Sequence, residues 1–135
     1  IFVLVRQSNP GAADVEDLEL AAGGTVWERL AAIVDGLAGA GDGLSEIGAV
    51  VGATRPEHVA RMRELMPRAP FLLPGIGAQG GRVEDLAPAF AAGKAGGLVS
   101  ASRSIARAHE HSDGAPRDAA RAEAERLREA AWALA

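Results

Sequence analysis

Short apolar runs separated by amphipathic stretches recur four times along this chain. The runs are Ile1–Val5, Ile47–Val51, Phe71–Leu73 and Gly97–Ala101. Each is apolar throughout rather than alternating, which predicts parallel strands covered on both faces. Between the first two runs, Thr25 and Glu28 have the spacing of a capping box. Val26, Trp27, Leu30, Ile33, Val34 and Leu37 then fall on one helical face, until Gly39, Gly41 and Gly43 break it. Thr54 and Glu57 repeat the capping spacing, and Pro56 suits a first helical turn. Val59, Met62, Leu65 and Met66 give that helix its buried stripe, and Pro67 stops it. A third helix is expected from about Val83 to Ala92. The last is expected from about Pro116 to Leu134, with Ala120, Ala124, Leu127, Ala131 and Leu134 turned inward.

This is an α/β chain of four βα units plus a C-terminal helix. Closed barrels and open doubly wound sheets both satisfy the pattern. A complete (βα)8 barrel needs about 250 residues, and this sequence has 135. Four units are half of such a barrel. Left alone, they expose apolar edges and an uncovered inner face, so another segment or chain is expected to complete the sheet. The sequence opens inside a strand without an initiator methionine, which reads as one half, residues 1–135, of a longer single domain.

Composition narrows the function classes. Hydrophobic residues make up 48% and charged residues 24%, ordinary for a globular domain. A net charge of −4 leaves no electrostatic footprint for nucleic acid or an anionic membrane. No apolar run approaches the ~20 residues of a membrane span. Cysteine is absent, which excludes disulfide and thiolate chemistry and is compatible with the cytoplasm.

The chemistry concentrates in two segments that follow strands. Pro74-Gly75-Ile76-Gly77-Ala78-Gln79-Gly80-Gly81 leaves the third strand, and Ser100-Ala101-Ser102-Arg103-Ser104 leaves the fourth. Glycines let backbone N–H groups approach an anion, and the helix N-termini that follow add their dipoles. Arg103 supplies charge and a planar fork. Loops after the last two strands of a (βα)8 barrel frequently build such a phosphate grip.

These two segments, with Arg6-Gln7-Ser8-Asn9-Pro10-Gly11-Ala12 and Val50-Val51-Gly52-Ala53-Thr54, occur in an order that resembles the C-terminal half of orotidine 5′-monophosphate decarboxylases. The likeness is to the bacterial branch with a short Gly-Ala-Gln-Gly-Gly phosphate loop, and it spans nearly the whole chain. It implies a TIM barrel that converts orotidine monophosphate to uridine monophosphate in pyrimidine biosynthesis, without metal or cofactor, as a cytoplasmic homodimer. It implies that Ser8 reads the pyrimidine ring and that Pro74 packs near it. Gln79 and Gly80 then belong to the phosphate loop, and Arg103 pairs with the phosphate, assisted by Ser102. The catalytic lysine and aspartates of that family lie in the other half. The single lysine here, Lys94, precedes its strand and so lies at the face opposite the site. No catalytic residue is expected in this segment, and the segment alone is expected to be inactive.

Other readings of the same residues remain. Gly75, Gly77 and Gly80 also fit G-x-G-x-x-G, and Ser102-Arg103 could hold the 2′-phosphate of NADP in a Rossmann-like half. A non-catalytic half-barrel that binds phosphate is a third possibility. Ser8-Asn9-Pro10-Gly11 is good turn sequence in its own right. His109-Glu110-His111 reads as a mobile linker rather than a metal site. His58 is expected to face solvent. Asp14, Glu16, Asp17 and Glu19 are expected to form a solvated face, as are the alternating arginines and glutamates of Arg117–Glu129.

Overall fold

The computed structural model describes residues 1–135. Four strands form one sheet: β1 (Phe2–Arg6), β2 (Gly48–Val51), β3 (Phe71–Leu73) and β4 (Gly97–Val99). They pair in parallel and in chain order, β1-β2-β3-β4. The order never reverses, so the sheet has no switch point of the kind on which a doubly wound dinucleotide fold is built. Five α-helices accompany the strands: α1 (Ala13–Glu16), α2 (Val26–Gly36), α3 (Pro56–Leu65), α4 (Arg103–Ala106) and α5 (Pro116–Trp132).

The capping box expected at Thr25 is present: its side chain accepts from the Glu28 N–H, and Glu28 accepts from the Thr25 N–H at 3.0 Å. The one expected at Thr54 is not. Arg55 is the cap of α3, with no side-chain bond, and Pro56 opens the helix. The third helix has the expected bounds, Val83–Ala92, but is wound as a 3-10 helix with Pro88 inside it. Proline has no N–H to donate and its ring crowds the carbonyl four residues back, so a regular α-helical ladder cannot run through it. On α2, Ala31 is buried while Ile33 and Leu37 are exposed, so the buried stripe is narrower than the sequence suggested. The segment Ala108–His111 is a 3-10 turn packed against α5, not a linker.

Register sorts the strand residues onto two faces. The row Val3–Ala49–Phe71–Gly97 faces the helices. The next row, Leu4–Val50–Leu72–Leu98, faces away from them. There Leu4 is 55% exposed and Leu98 46%, and neighbouring Phe2 is 40% exposed. Apolar side chains in register on an open face of a parallel sheet are a surface built to be covered.

Beneath the sheet, at the end where strands begin, one buried arginine holds the elements together. The Arg63 guanidinium donates to the carbonyls of Met66, Pro67 and Ala69 from Nη1, and of Ala89 and Gly96 from Nη2, at 2.8 to 3.2 Å. It lies 3.9 Å over the Phe71 ring. No carboxylate accompanies it, and burial lowers its pKa to about 10, so it stays charged at neutral pH. Five carbonyls from three segments thus converge on one cation. Arg63→Ala is expected to destabilise the chain by about 3 kcal/mol or more, because it strips buried carbonyls of a charged donor. Arg63→Lys is expected to recover less than half, since an ammonium cannot reproduce the fork. Urea denaturation measures both, and a loss below about 1 kcal/mol for the alanine variant contradicts the role.

Candidate functional site

Parallel strands in chain order send every connecting loop out at the same edge. Beyond the strands, backbone bonds keep those exits together. Gly52 N–H donates to the Arg6 carbonyl at 2.7 Å, Ala53 N–H to Pro74 at 2.8 Å, and Ser100 N–H to Leu73 at 3.2 Å. After β3 the chain closes a compact loop: Gly81 N–H donates to Gly75, Gly77 N–H to Gly81, and Gly80 N–H to Gly77, at 2.8 to 3.0 Å. The loop tip is Ala78-Gln79, whose N–H groups have no acceptor within the protein; nor does that of Ser102. Unpartnered N–H groups on adjacent loops are the raw material of an anion nest.

Gly75 is the pivot of this edge. Its φ is +104°, and a Cβ built on it would lie 2.9 Å from Ser8 Cβ, 3.0 Å from Gln79 Oε1 and 3.2 Å from Thr54 Cγ2. The residues after β1, β2 and β3 therefore meet around a single glycine, and only glycine fits.

A cavity of about 160 Å³ opens beside it, lined by Pro74, Gly75, Ile76, Ala78, Gln79, Ser100, Ser102 and Arg103. Of the residues singled out from sequence, Pro74, Gln79, Ser102 and Arg103 share this cavity. Ser8 stands next to it across Gly75. Gly80 does not line it: its N–H is spent on the Gly77 carbonyl, so it shapes the turn instead. Ser100, two residues before Ser102, also lines the cavity and was missed. Thr54 was read as a helix cap and instead packs at the pivot. The expected helix-dipole contribution is small, because α4 has only four residues and the helix after the glycine loop is 3-10. Arg103 carries the positive charge. Unlike most arginines of the chain, it has no ion pair, hydrogen bond or aromatic contact.

Below Ser8 lies a buried ionic cluster. Arg6, the last residue of β1, donates to Asp17 from Nε at 2.8 Å and from Nη2 at 3.0 Å. Glu16 lies 3.7 Å from Arg6 and accepts from the Gln7 N–H at 2.9 Å and from the Gln7 side chain at 3.0 Å. The charged stretch expected to be solvated is thus partly internal: Glu16 is buried, and α1 folds back to pin residues 6 and 7. The Arg6 hydrogen bond holds the Asp17 carboxyl below its usual pKa. His58 is also not solvent-facing. Its ring lies 5.2 Å from Trp27, its Nδ1 is buried without a partner, and burial lowers its pKa. On α5 the exposed face is as expected, with Arg121–Glu125 and Arg126–Glu123 pairs.

Four parallel βα units wound in one direction, with glycine and arginine loops at the strand ends, define a segment of a (βα)8 barrel. No family model matches the chain. Among curated proteins it is 48% identical over 117 residues to the orotidine 5′-phosphate decarboxylase of Halorubrum lacusprofundi, a match covering 83% of this chain and 41% of that one. It is 50% identical over 124 residues to that of Deinococcus radiodurans, covering 89% and 43%. Among solved structures, Leishmania donovani UMP synthase matches with a TM-score of 0.70 at 33% identity, over 96% of this chain and 27% of that one. Leishmania donovani OMP decarboxylase matches with a TM-score of 0.67 at 30% identity, over 97% and 48%. The chain is sequence of the orotidine 5′-phosphate decarboxylase family, and it spans about two fifths of the length of the curated relatives it matches. No helix is long and apolar enough to cross a membrane.

Two outcomes check this geometry. Gly75→Ala and Gly80→Ala both force a side chain onto a positive φ, but only at Gly75 does the Cβ also meet neighbours. Gly80→Ala is expected to cost about 1 kcal/mol, and Gly75→Ala clearly more; equal losses in thermal denaturation contradict the packing. For the cluster under Ser8, Asp17 has a depressed native pKa. Its stabilisation is therefore complete above the unfolded carboxyl value of about 4 and is lost as the pH falls through the native one. Acid titration of stability is expected to flatten in that window in Asp17→Asn, and an unchanged profile contradicts the pairing.

Proposed function

We propose that these residues are the phosphate- and pyrimidine-binding half, C-terminal in the barrel, of an enzyme that decarboxylates orotidine 5′-monophosphate to uridine 5′-monophosphate. The observation that carries the reading is the convergence of Gln79, Ser102 and an unpaired Arg103 on one small cavity at the strand ends. In this reading the Arg103 guanidinium and the N–H groups of Ala78 and Ser102 bind the phosphate, and Gln79 closes over it. Pro74 and the Ser8 hydroxyl face the pyrimidine, where a group that both donates and accepts can read an amide-like edge. A phosphate held away from the reacting carbon supplies binding energy that can be used in the transition state.

The catalytic lysine and aspartates belong, on this proposal, to the part of the relatives' length that these residues do not span. Lys94 does not substitute for them. It lies in the turn before β4, at the opposite end of the strands, with its ammonium 5.5 Å from the Trp132 ring. The same missing part is the partner that covers Leu4, Val50, Leu72 and Leu98. The complete enzyme acts without a cofactor, as a homodimer in the cytoplasm.

Arg103→Ala in the complete enzyme is expected to weaken uridine monophosphate binding by about 2 kcal/mol or more, roughly 30-fold. Gln79→Ala is expected to do less. Calorimetric titration decides it, and unchanged affinity in Arg103→Ala removes the phosphate assignment. The 135-residue chain by itself is expected to release no carbon dioxide from orotidine monophosphate.

A further inference from the structure

The proposed reaction makes no use of the ionic cluster beneath Ser8, yet that cluster holds more negative charge than Arg6 needs. Asp17 alone neutralises Arg6, through bonds of 2.8 and 3.0 Å. Glu16 is a second carboxylate, with its side chain only 10% exposed, and it stands 3.7 Å from Arg6, beyond hydrogen-bond reach. Burying a carboxylate costs free energy unless its oxygens are hydrogen-bonded. Both Glu16 oxygens are spent on Gln7: one accepts from the backbone N–H at 2.9 Å, the other from the side-chain amide at 3.0 Å.

Gln7 precedes Ser8, and the peptide that joins them is held from other directions as well. Its carbonyl accepts from Arg6 Nη1. A Cβ built on Gly52 would lie 2.9 Å from the Gln7 carbonyl carbon and oxygen and from Ser8 Cα, so the chain after β2 packs directly against this peptide. Gly75 approaches Ser8 Cβ as closely. The return of α1 toward β1 is itself anchored, by a 3-10 turn over Pro10–Ala12 whose Ala12 is buried. None of these bonds uses the Ser8 hydroxyl. With the peptide fixed, only the staggered χ1 positions are left to that hydroxyl.

We propose that Glu16 is a positioning residue for pyrimidine recognition, acting through Gln7 to hold the Ser8 hydroxyl where the edge of the base meets it. The inference rests on the placement of Ser8 at the pyrimidine proposed above. It explains why a carboxylate is buried here without touching the cavity: a polar group that reads a ligand needs a rigid mount, supplied by packing and by hydrogen bonds behind it.

The test compares uridine monophosphate with ribose 5-phosphate, which keeps the phosphate and lacks the base, by calorimetric titration of the complete enzyme. Glu16→Ala is expected to weaken uridine monophosphate about five-fold or more and to leave ribose 5-phosphate unchanged. Ser8→Ala is expected to do the same. Adding Glu16→Ala to Ser8→Ala is expected to cost nothing further, because the two act through one hydroxyl. Gln7→Ala removes one of the two Glu16 bonds and is expected to give a smaller loss with the same selectivity; it carries the test if Glu16→Ala does not fold. Equal losses for both ligands, losses that add in the double variant, or no loss in the Glu16 and Gln7 variants while Ser8→Ala binds poorly overturn the inference and leave Ser8 at the pyrimidine. Unchanged uridine monophosphate affinity in Ser8→Ala overturns both.

Discussion

Parallel pairing of four strands in chain order is the constraint from which the rest of this structure follows. It obliges each connection to return under the sheet through a helix, which places all helices on one side. It also brings every outgoing loop to one edge. Ser8, Thr54, Gly75 and Arg103 come from four separate units, yet the first three meet at a single glycine and the fourth lines the adjoining cavity. At the opposite edge the same pairing gathers the incoming turns, and there Arg63 binds their carbonyls. One end of the sheet is therefore tied by a buried cation, and the other is left with unpartnered donors. The buried fastening and the unpartnered donors lie at opposite ends of the strand axis.

The two ends treat positive charge differently. Arg63 is buried and spends both terminal amino groups on five carbonyls, which makes it a fastening out of a ligand's reach. Arg103 is exposed and spends none, which makes it available. Arg6 lies between these cases: it is buried at the site end but neutralised by Asp17 and Glu16, and it serves to fix the turn that presents Ser8. The cavity is thus bordered by one uncommitted guanidinium rather than three.

Much of this was legible in the sequence. The four apolar runs gave strands within a residue or two, because parallel strands covered by helices need unbroken apolar side chains. The motifs around Pro74, Gln79 and Arg103 marked residues that line one cavity at the strand ends, with Ser8 beside it across Gly75. What was hidden depended on neighbours distant in sequence. Pro88 turned an expected α-helix into a 3-10 helix of the same length. Thr54 matched a capping pattern but was drawn instead to the Gly75 pivot. Glu16 and Asp17 read as solvated until β1 placed Arg6 beneath them. The sequence analysis did not single out Arg63, since nothing local marks a side chain that also binds the carbonyls of Ala89 and Gly96.

The open row of Leu4, Val50, Leu72 and Leu98 and the small cavity above it belong to one account, in which this chain brings the phosphate grip to a barrel completed by other residues. A crystal structure of the chain with uridine monophosphate tests that account most directly. It predicts the phosphorus atom in the cavity between Gln79, Ser102 and Arg103, with the pyrimidine toward Ser8 and Pro74. A nucleotide bound elsewhere, with that cavity empty and Arg103 turned away, contradicts it.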